Sequence, residues 1–218
     1  PEYNGTGWTV HLEQEDPSFD RNVLYNAVAE KDLADNSIRW VGHSPFNNTY
    51  GFASSPAATA ANGGELFTFQ TMAQYMKGNP DAVACMESEF PDRPDGLVLW
   101  EDHVGWEMPE DQQVIMETGV IYTETGNDNC DFGEVFTTDG RIDGLNLGLV
   151  QDPGVMILYN LSYTFRDEVL GDAVQVIAET IVNSLDNETM VGLNFEVDIN
   201  GREYADVARE YLQSIGLA

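Results

Sequence analysis

Four aromatic residues, Tyr3, Tyr50, Phe136 and Tyr159, each lie in a short polar or glycine-containing segment. Their neighbours are Asn4-Gly5-Thr6, Asn47-Asn48-Thr49, Thr137-Thr138-Asp139-Gly140-Arg141 and Asn160. Rings at strand-to-loop junctions usually pack into the core. Alternatively they converge on a pocket and hold a cation by their faces, each contact worth about 0.5–2 kcal/mol when desolvated. Pattern alone favours core. Other chemistry is thinner. With 38 Asp+Glu in the chain, acid–base pairs can be assembled at will, so their abundance says nothing about catalysis. There is no G-x-S-x-G, no glycine-rich phosphate loop and no H-E-x-x-H. His11, His43 and His103 lie far apart, without metal-ligand spacing. Asn127-Asp128-Asn129-Cys130-Asp131 fails as a calcium loop because Phe132 takes the sixth position and Gly133 comes one late; a polar turn accounts for it better. No metal, no cofactor and no catalysis is expected.

Charge and length bound the rest. The 218 residues carry 9 Lys+Arg against 38 Asp+Glu, a formal charge of -29. Such a surface repels phosphate, which excludes nucleic acid and anionic membrane as partners. A hydrophobic share of 42% is enough for packed cores and too much for a disordered acidic tail. No run approaches the ~18 apolar residues of a membrane span. The carboxylates are spread along the chain and read as a solvated surface, of the kind that keeps a protein dispersed in high salt, rather than as a cation-binding face. The chain opens at Pro1, so an upstream segment is expected to have been removed or left out. Cys85 and Cys130 allow one pairing, a bridge in an exported protein or two buried thiols in a cytosolic one.

The elements that must position these residues alternate between strand and helix, which argues for an α/β class. Phe67 to Met76 reads as a helix, and Asp81–Met86 as a short buried strand. If Leu97–Val104 is a helix, Asp95 is its N-cap and Gly105 its C′ residue. Strand-like runs recur at Gln113–Met116, Glu134–Thr138, Leu145–Val150 and Val155–Tyr159. In the last third, Val169, Leu170, Ala173, Val174, Ile177, Ile181 and Leu185 recur at helical steps and read as one inward stripe. A second helix begins at Asn187. A third, Tyr204 to Ile215, is expected to face inward with Val207, Ala208, Tyr211, Leu212 and Ile215.

Five runs occur in order and at fitting spacing: Pro1-Glu2-Tyr3-Asn4-Gly5-Thr6, Ser44-Pro45-Phe46-Asn47-Asn48-Thr49-Tyr50, Glu89-Phe90-Pro91-Asp92-Arg93-Pro94-Asp95-Gly96, Phe136-Thr137-Thr138-Asp139-Gly140-Arg141-Ile142, and Leu193-Asn194-Phe195-Glu196-Val197-Asp198 with Val207-Ala208-Arg209-Glu210-Tyr211-Leu212. Together they resemble the substrate-binding proteins of ABC importers for glycine betaine, choline and related osmoprotectants, over essentially the whole chain.

The resemblance implies a periplasmic-binding-protein type II fold, two α/β lobes joined by a hinge. Lobe 1 is expected from residues 1–54 plus 150–218, without the opening strand and helix that family members carry, and lobe 2 from 55–149. It implies capture of a quaternary ammonium solute in an aromatic cage between the lobes, and delivery to a membrane permease by a monomer outside the cytoplasm. By matching motif the cage positions fall on Tyr3, Tyr50, Phe136 and Tyr159, the polar positions on Thr6 and Asn48, and the carboxylate-binding position on Arg93. Two departures bear on the ligand. Phe136 stands where tyrosine is frequent, and Asn48 where aspartate is common, which weakens a choline reading and leans toward glycine betaine. Export makes a Cys85–Cys130 disulfide the expected state, bracing the pocket from behind. A sensor or receptor domain of the same fold, cut from a larger membrane protein, is the alternative.

Overall fold

The longest helix, Arg21–Asn36, is set by signals at both ends. Asp20, in extended backbone, accepts hydrogen bonds from the amides of Asn22 and Val23 at 2.9 and 3.0 Å, satisfying donors the first turn leaves open. Ser37 ends the helix in the left-handed region, φ 58°. Leu24, Val28 and Asp32 form the buried edge.

The structure, a computed structural model, describes residues 1–93 and 95–217; Pro94, within the Glu89–Gly96 run, lies outside the described residues. Along the chain, β1 (Glu2–Tyr3) leads into a single turn, α1 (Asn4–Thr6), which widens over Gly7–His11. Next come α2 (Arg21–Asn36), β2 (Ile38–Val41), β3 (Tyr50–Ser54), α3 (Pro56–Ala61), α4 (Phe69–Gly78) and β4 (Ala84–Met86). After these the order is α5 (Leu97–Val104), β5 (Gln113–Ile115), α6 (Thr118–Gly126), β6 (Phe132–Phe136), α7 (Arg141–Gly144) and β7 (Gly148–Leu149). The chain finishes with β8 (Leu161–Arg166), α8 (Asp172–Ser184), α9 (Asn187–Asp198) and α10 (Tyr204–Ser214). No described helix is long and apolar enough to cross a membrane.

Two compact units result, one from Pro1–Thr49 with Ile157–Ala218 and the other Tyr50–Met156. The expected lobe limits put both Tyr50–Ser54 and residues 150–156 with the chain ends, whereas both fall in the middle unit. Backbone pairing places Tyr50–Ser54 there, because β3 pairs along its whole length with β6, from Tyr50↔Phe136 to Ser54↔Phe132.

The first unit is built on an antiparallel sheet ordered β1-β8-β2. Leu12, Leu24, Val28 and Trp40 pack beneath it. The Trp40 indole N–H donates to the buried Asp32 carboxylate at 2.7 Å, so the one polar atom of that ring is satisfied on burial. The stripe expected on α8 turns the other way: Val174 and Ile177 are about half exposed, at 49% and 48%, while Ala178 and Val182 are buried. The helix meets β2 and β8 through this second edge, where Val182 lies over Gly42. On α10 only Val207 is fully buried, and Ala208 is exposed.

The second unit carries a mixed sheet ordered β5-β4-β6-β3-β7, parallel at β5-β4-β6 and antiparallel at β6-β3-β7. Its core is aromatic: Phe52, Phe67, Phe69, Phe90, Trp100 and Phe132 are all buried. Several strand expectations shift. β6 begins at Phe132 and stops at Phe136, where Asp139 N–H returns to the Phe136 carbonyl and turns the chain. Val155–Tyr159 is not a strand: Asp152 accepts the amides of Gly154, Val155 and Met156 and coils the approach. The strand lies beyond, at β8. On α5 the N-cap is Gly96 rather than Asp95, while Gly105 closes the helix at φ 63° as expected. The Asn127–Asp131 segment is a turn whose carboxylates serve the backbone. Asp131 takes the Val83 amide and the Tyr75 hydroxyl, and Asp128 takes the Ala57 amide. Cys85, on β4, and Cys130 are joined by a disulfide and both fully buried.

Candidate functional site

The expected site residues fall into two groups, one on each unit. On the first unit, β1 ends at Tyr3 and the chain turns at once into α1. A Cβ on Gly5 would stand 2.5 Å from the Leu158 carbonyl oxygen and 3.0 Å from the Tyr159 ring, so glycine is what lets this turn lie against that ring. The Tyr3 and Tyr159 rings meet edge to face, centroids 6.2 Å apart at 84°. Asparagines hold them. Asn48 donates from Nδ2 to the Tyr3 hydroxyl at 3.1 Å, and its amide donates to the Tyr159 carbonyl at 3.2 Å. Asn47 Oδ1 accepts the Tyr159 amide at 2.6 Å. Burial pushes the Tyr3 phenol upward, with the Asn48 hydrogen bond opposing. Thr6, at the end of α1, is half-buried. Asn4, Asn160 and Ser162 are buried behind this pair, with Ser162 donating to Asn4 Oδ1 at 2.7 Å.

On the second unit, Tyr50 and Phe136 are cross-strand partners, with ring centroids 5.1 Å apart at 35°. Phe90, from the turn Phe90–Asp92, adds a third ring 5.5 Å from Tyr50. The Arg93 guanidinium stands 5.2 Å from the Tyr50 ring centre. Its Nε and Nη2 donate to the two Asp95 oxygens, both at 2.8 Å, a fork-to-fork pair. Asp95, expected as a helix cap, instead pairs with Arg93, and Glu89 adds a longer ion pair at 3.6 Å. Behind Phe136, its amide donates to the buried Tyr122 hydroxyl at 2.8 Å. Arg141, locked to Asp139, lies over the Tyr122 ring at 3.8 Å. Asp139 and Arg141 thus brace Tyr122, which in turn holds the Phe136 backbone.

Two residues of this neighbourhood escaped the sequence reading. Phe90 lies in the Glu89–Gly96 run, where its type alone assigns it no role. Glu134 is a buried carboxylate at 3% exposure on β6, and its Oε2 accepts the Glu87 amide at 2.8 Å. Burial pushes it up to about 7, with the Glu87 amide and Arg93 pulling down and the Glu87 carboxylate pushing further up. The available signal was strand alternation, Phe132-x-Glu134-x-Phe136, which places an acid on a core-facing side. Among the described residues, no group of three or more His, Cys, Asp or Glu is placed to hold a metal ion.

Aromatic ring faces are suited to a cation that has no N–H of its own, and comparison with known proteins agrees in kind. Over 219 residues the chain is 28% identical to a glycine-betaine-binding protein of Pseudomonas aeruginosa, spanning 97% of this chain and 70% of that one. The glycine betaine-binding protein YehZ of Escherichia coli is 25% identical, over 99% and 73%. The ergothioneine transport permease/ergothioneine binding protein EgtU of Helicobacter pylori is 26% identical over 99% of this chain but only 38% of its own length. In fold, the chain superposes on apo YehZ with a TM-score of 0.80 at 24% identity, covering 100% of this chain and 80% of that one. A glycine betaine/carnitine/choline ABC transporter structure gives 0.85 at 24% identity, over 98% and 76%. The family model that describes the substrate binding domain of the ABC-type glycine betaine transport system, OpuAC, matches residues 1–214. The chain belongs to that family of substrate-binding domains and has the two-lobed α/β fold of type II periplasmic binding proteins.

Proposed function

We propose that this substrate-binding domain takes a methylated quaternary ammonium solute of the glycine betaine kind, its head received by Tyr3 and Tyr159 on one unit and Tyr50 and Phe136 on the other. The observation that carries the reading is the Tyr50–Phe136 pair, 5.1 Å apart at the end of two paired strands, with the rings held by their neighbours before any ligand arrives. A trimethylammonium group offers no hydrogen bond, so ring quadrupoles and a dry surface are the means of selecting it. Thr6 and Asn48 would supply polar contacts, and Arg93 would receive a carboxylate tail. That tail must share Arg93 with Asp95, which already occupies Nε and Nη2. The protein does no chemistry on its ligand; it works outside the cytoplasm and passes the solute to an ABC permease. A second reading, a binding domain that forms part of a larger membrane protein, is favoured by EgtU, of which this chain spans 38%.

Calorimetric titration with glycine betaine, choline, carnitine and glycine tests the proposal. Saturable heat with the methylated ligands and none with glycine is expected. A folded protein silent to all four would sink the ligand assignment.

A further inference from the structure

Glu134 is placed to do more than hold a backbone amide. Strand alternation puts Phe132, Glu134 and Phe136 on one face of β6, and the register sets Glu134 opposite Phe52 and Phe136 opposite Tyr50. The carboxylate is therefore one step down the strand from the Tyr50–Phe136 ring pair, on the same side of the sheet. Burial is the main cause that pushes the Tyr50 phenol upward; Arg93 opposes it, and the Asp95, Glu134 and Glu87 charges add to it. The charged groups acting on Glu134 are Glu87, after β4, and Arg93, after the Phe90–Asp92 turn; across β3 it faces the neutral Phe52. Arg93 gives two of its nitrogens to Asp95. A carboxylate so buried is poorly compensated until a cation arrives.

We propose that Glu134 is the charge-selecting residue of the ligand site, the counter-charge for an ammonium head seated on the Tyr50 and Phe136 rings. The inference rests on the ring reading above. Binding then converts a protonated carboxyl into a carboxylate paired with the cation, and the proton leaves to solvent. Ligands with an uncompensated positive charge gain most, because Glu134 attracts a head group and repels a carboxylate tail.

The test is calorimetry of choline and glycine betaine binding at pH 6, 7 and 8, repeated at pH 7 in two buffers of different ionisation enthalpy. For the wild type, choline affinity should rise about tenfold from pH 6 to 8, since a group titrating near neutrality goes from mostly protonated to mostly ionised over that interval. Proton release at pH 7 should appear as buffer-dependent heat. Glu134→Gln keeps an acceptor for the Glu87 amide, and should flatten the pH profile and weaken choline more than betaine. Its thermal melt at pH 8, at or above that of the wild type, verifies the fold. A flat wild-type profile without proton release, or a variant that keeps the slope, overturns the assignment of Glu134 while leaving the rings in place. A wild type that binds neither ligand overturns the ring reading, and this role falls with it. If Tyr50→Ala weakens choline binding about tenfold while the wild-type profile is flat, only Glu134 has been misassigned.

Discussion

The two ring groups are held by different physics. Tyr3 and Tyr159 are positioned by side-chain amides: Asn48 grips the Tyr3 hydroxyl and Asn47 the Tyr159 backbone, with buried Asn4, Asn160 and Ser162 behind them. Tyr50 and Phe136 are positioned by strand pairing and by packing, and Tyr50 continues into the core through Phe90 and Phe52. Hydrogen-bonded placement depends on a few atoms whose loss leaves partners unsatisfied. Packed placement depends on volume, and it degrades by cavity. The same kind of surface is thus built once as a polar latch and once as the rim of a core.

Breaking the packed group should cost most. Phe52→Ala empties a fully buried site between Phe90 and Trp100 and is expected to lose about 3–5 kcal/mol of stability, read by urea unfolding. Removing the Cys85–Cys130 bridge, which spans 45 residues, should cost about 2–5 kcal/mol, seen as a lower Tm for the reduced protein. Breaking the latch is milder. Asn47→Ala strips the acceptor from the Tyr159 amide and should cost about 1–3 kcal/mol, with ligand affinity falling alongside. Tyr50→Ala and Tyr159→Ala should each weaken binding of the ammonium ligand by about 1–2 kcal/mol, and an unequal loss in calorimetry would show which group dominates.

Proton linkage sharpens the contrast, because the packed group has a buried acid, Glu134, on its own strand. Glu134 is raised from an ordinary 4.5 to about 7, so the folded state holds its proton where the unfolded chain has lost it. The contribution of Glu134 to stability is full below about pH 4.5, declines as pH rises through about 7, and is lost above. Glu134→Gln should remove that decline from a pH series of thermal melts. Least of all, raising NaCl from 0.1 to 1 M should lift Tm slightly by screening a net charge of -29.

The runs single out the candidate site residues, whose role with a ligand is a proposal, and they make the local turn chemistry only partly legible. Gly105 announces the end of α5 because its role is a backbone angle that glycine alone takes cheaply. Asp95 reads equally well as a cap or as an ion-pair partner, and only the fold brings Arg93 to it. Arg21–Asn36 is not among the elements read above, although Asp20 and the Leu24, Val28 spacing mark it; its mean polarity hides the stripe. On α8 the apolar residues outnumber the buried ones, so periodicity could not tell which edge meets β2 and β8. Val155–Tyr159 is as apolar as a strand, but the Asp152 side chain claims the amides a ladder would need.

The disulfide has a topological meaning as well. Phe90, Arg93 and Asp95 lie on the stretch that Cys85 and Cys130 close into a covalent ring. A protease that cuts anywhere from Met86 to Asn129 therefore yields two pieces that remain tied, a single band on a gel until reductant is added. Scission in the segment that carries Arg93 ends the continuity of the backbone without releasing either part.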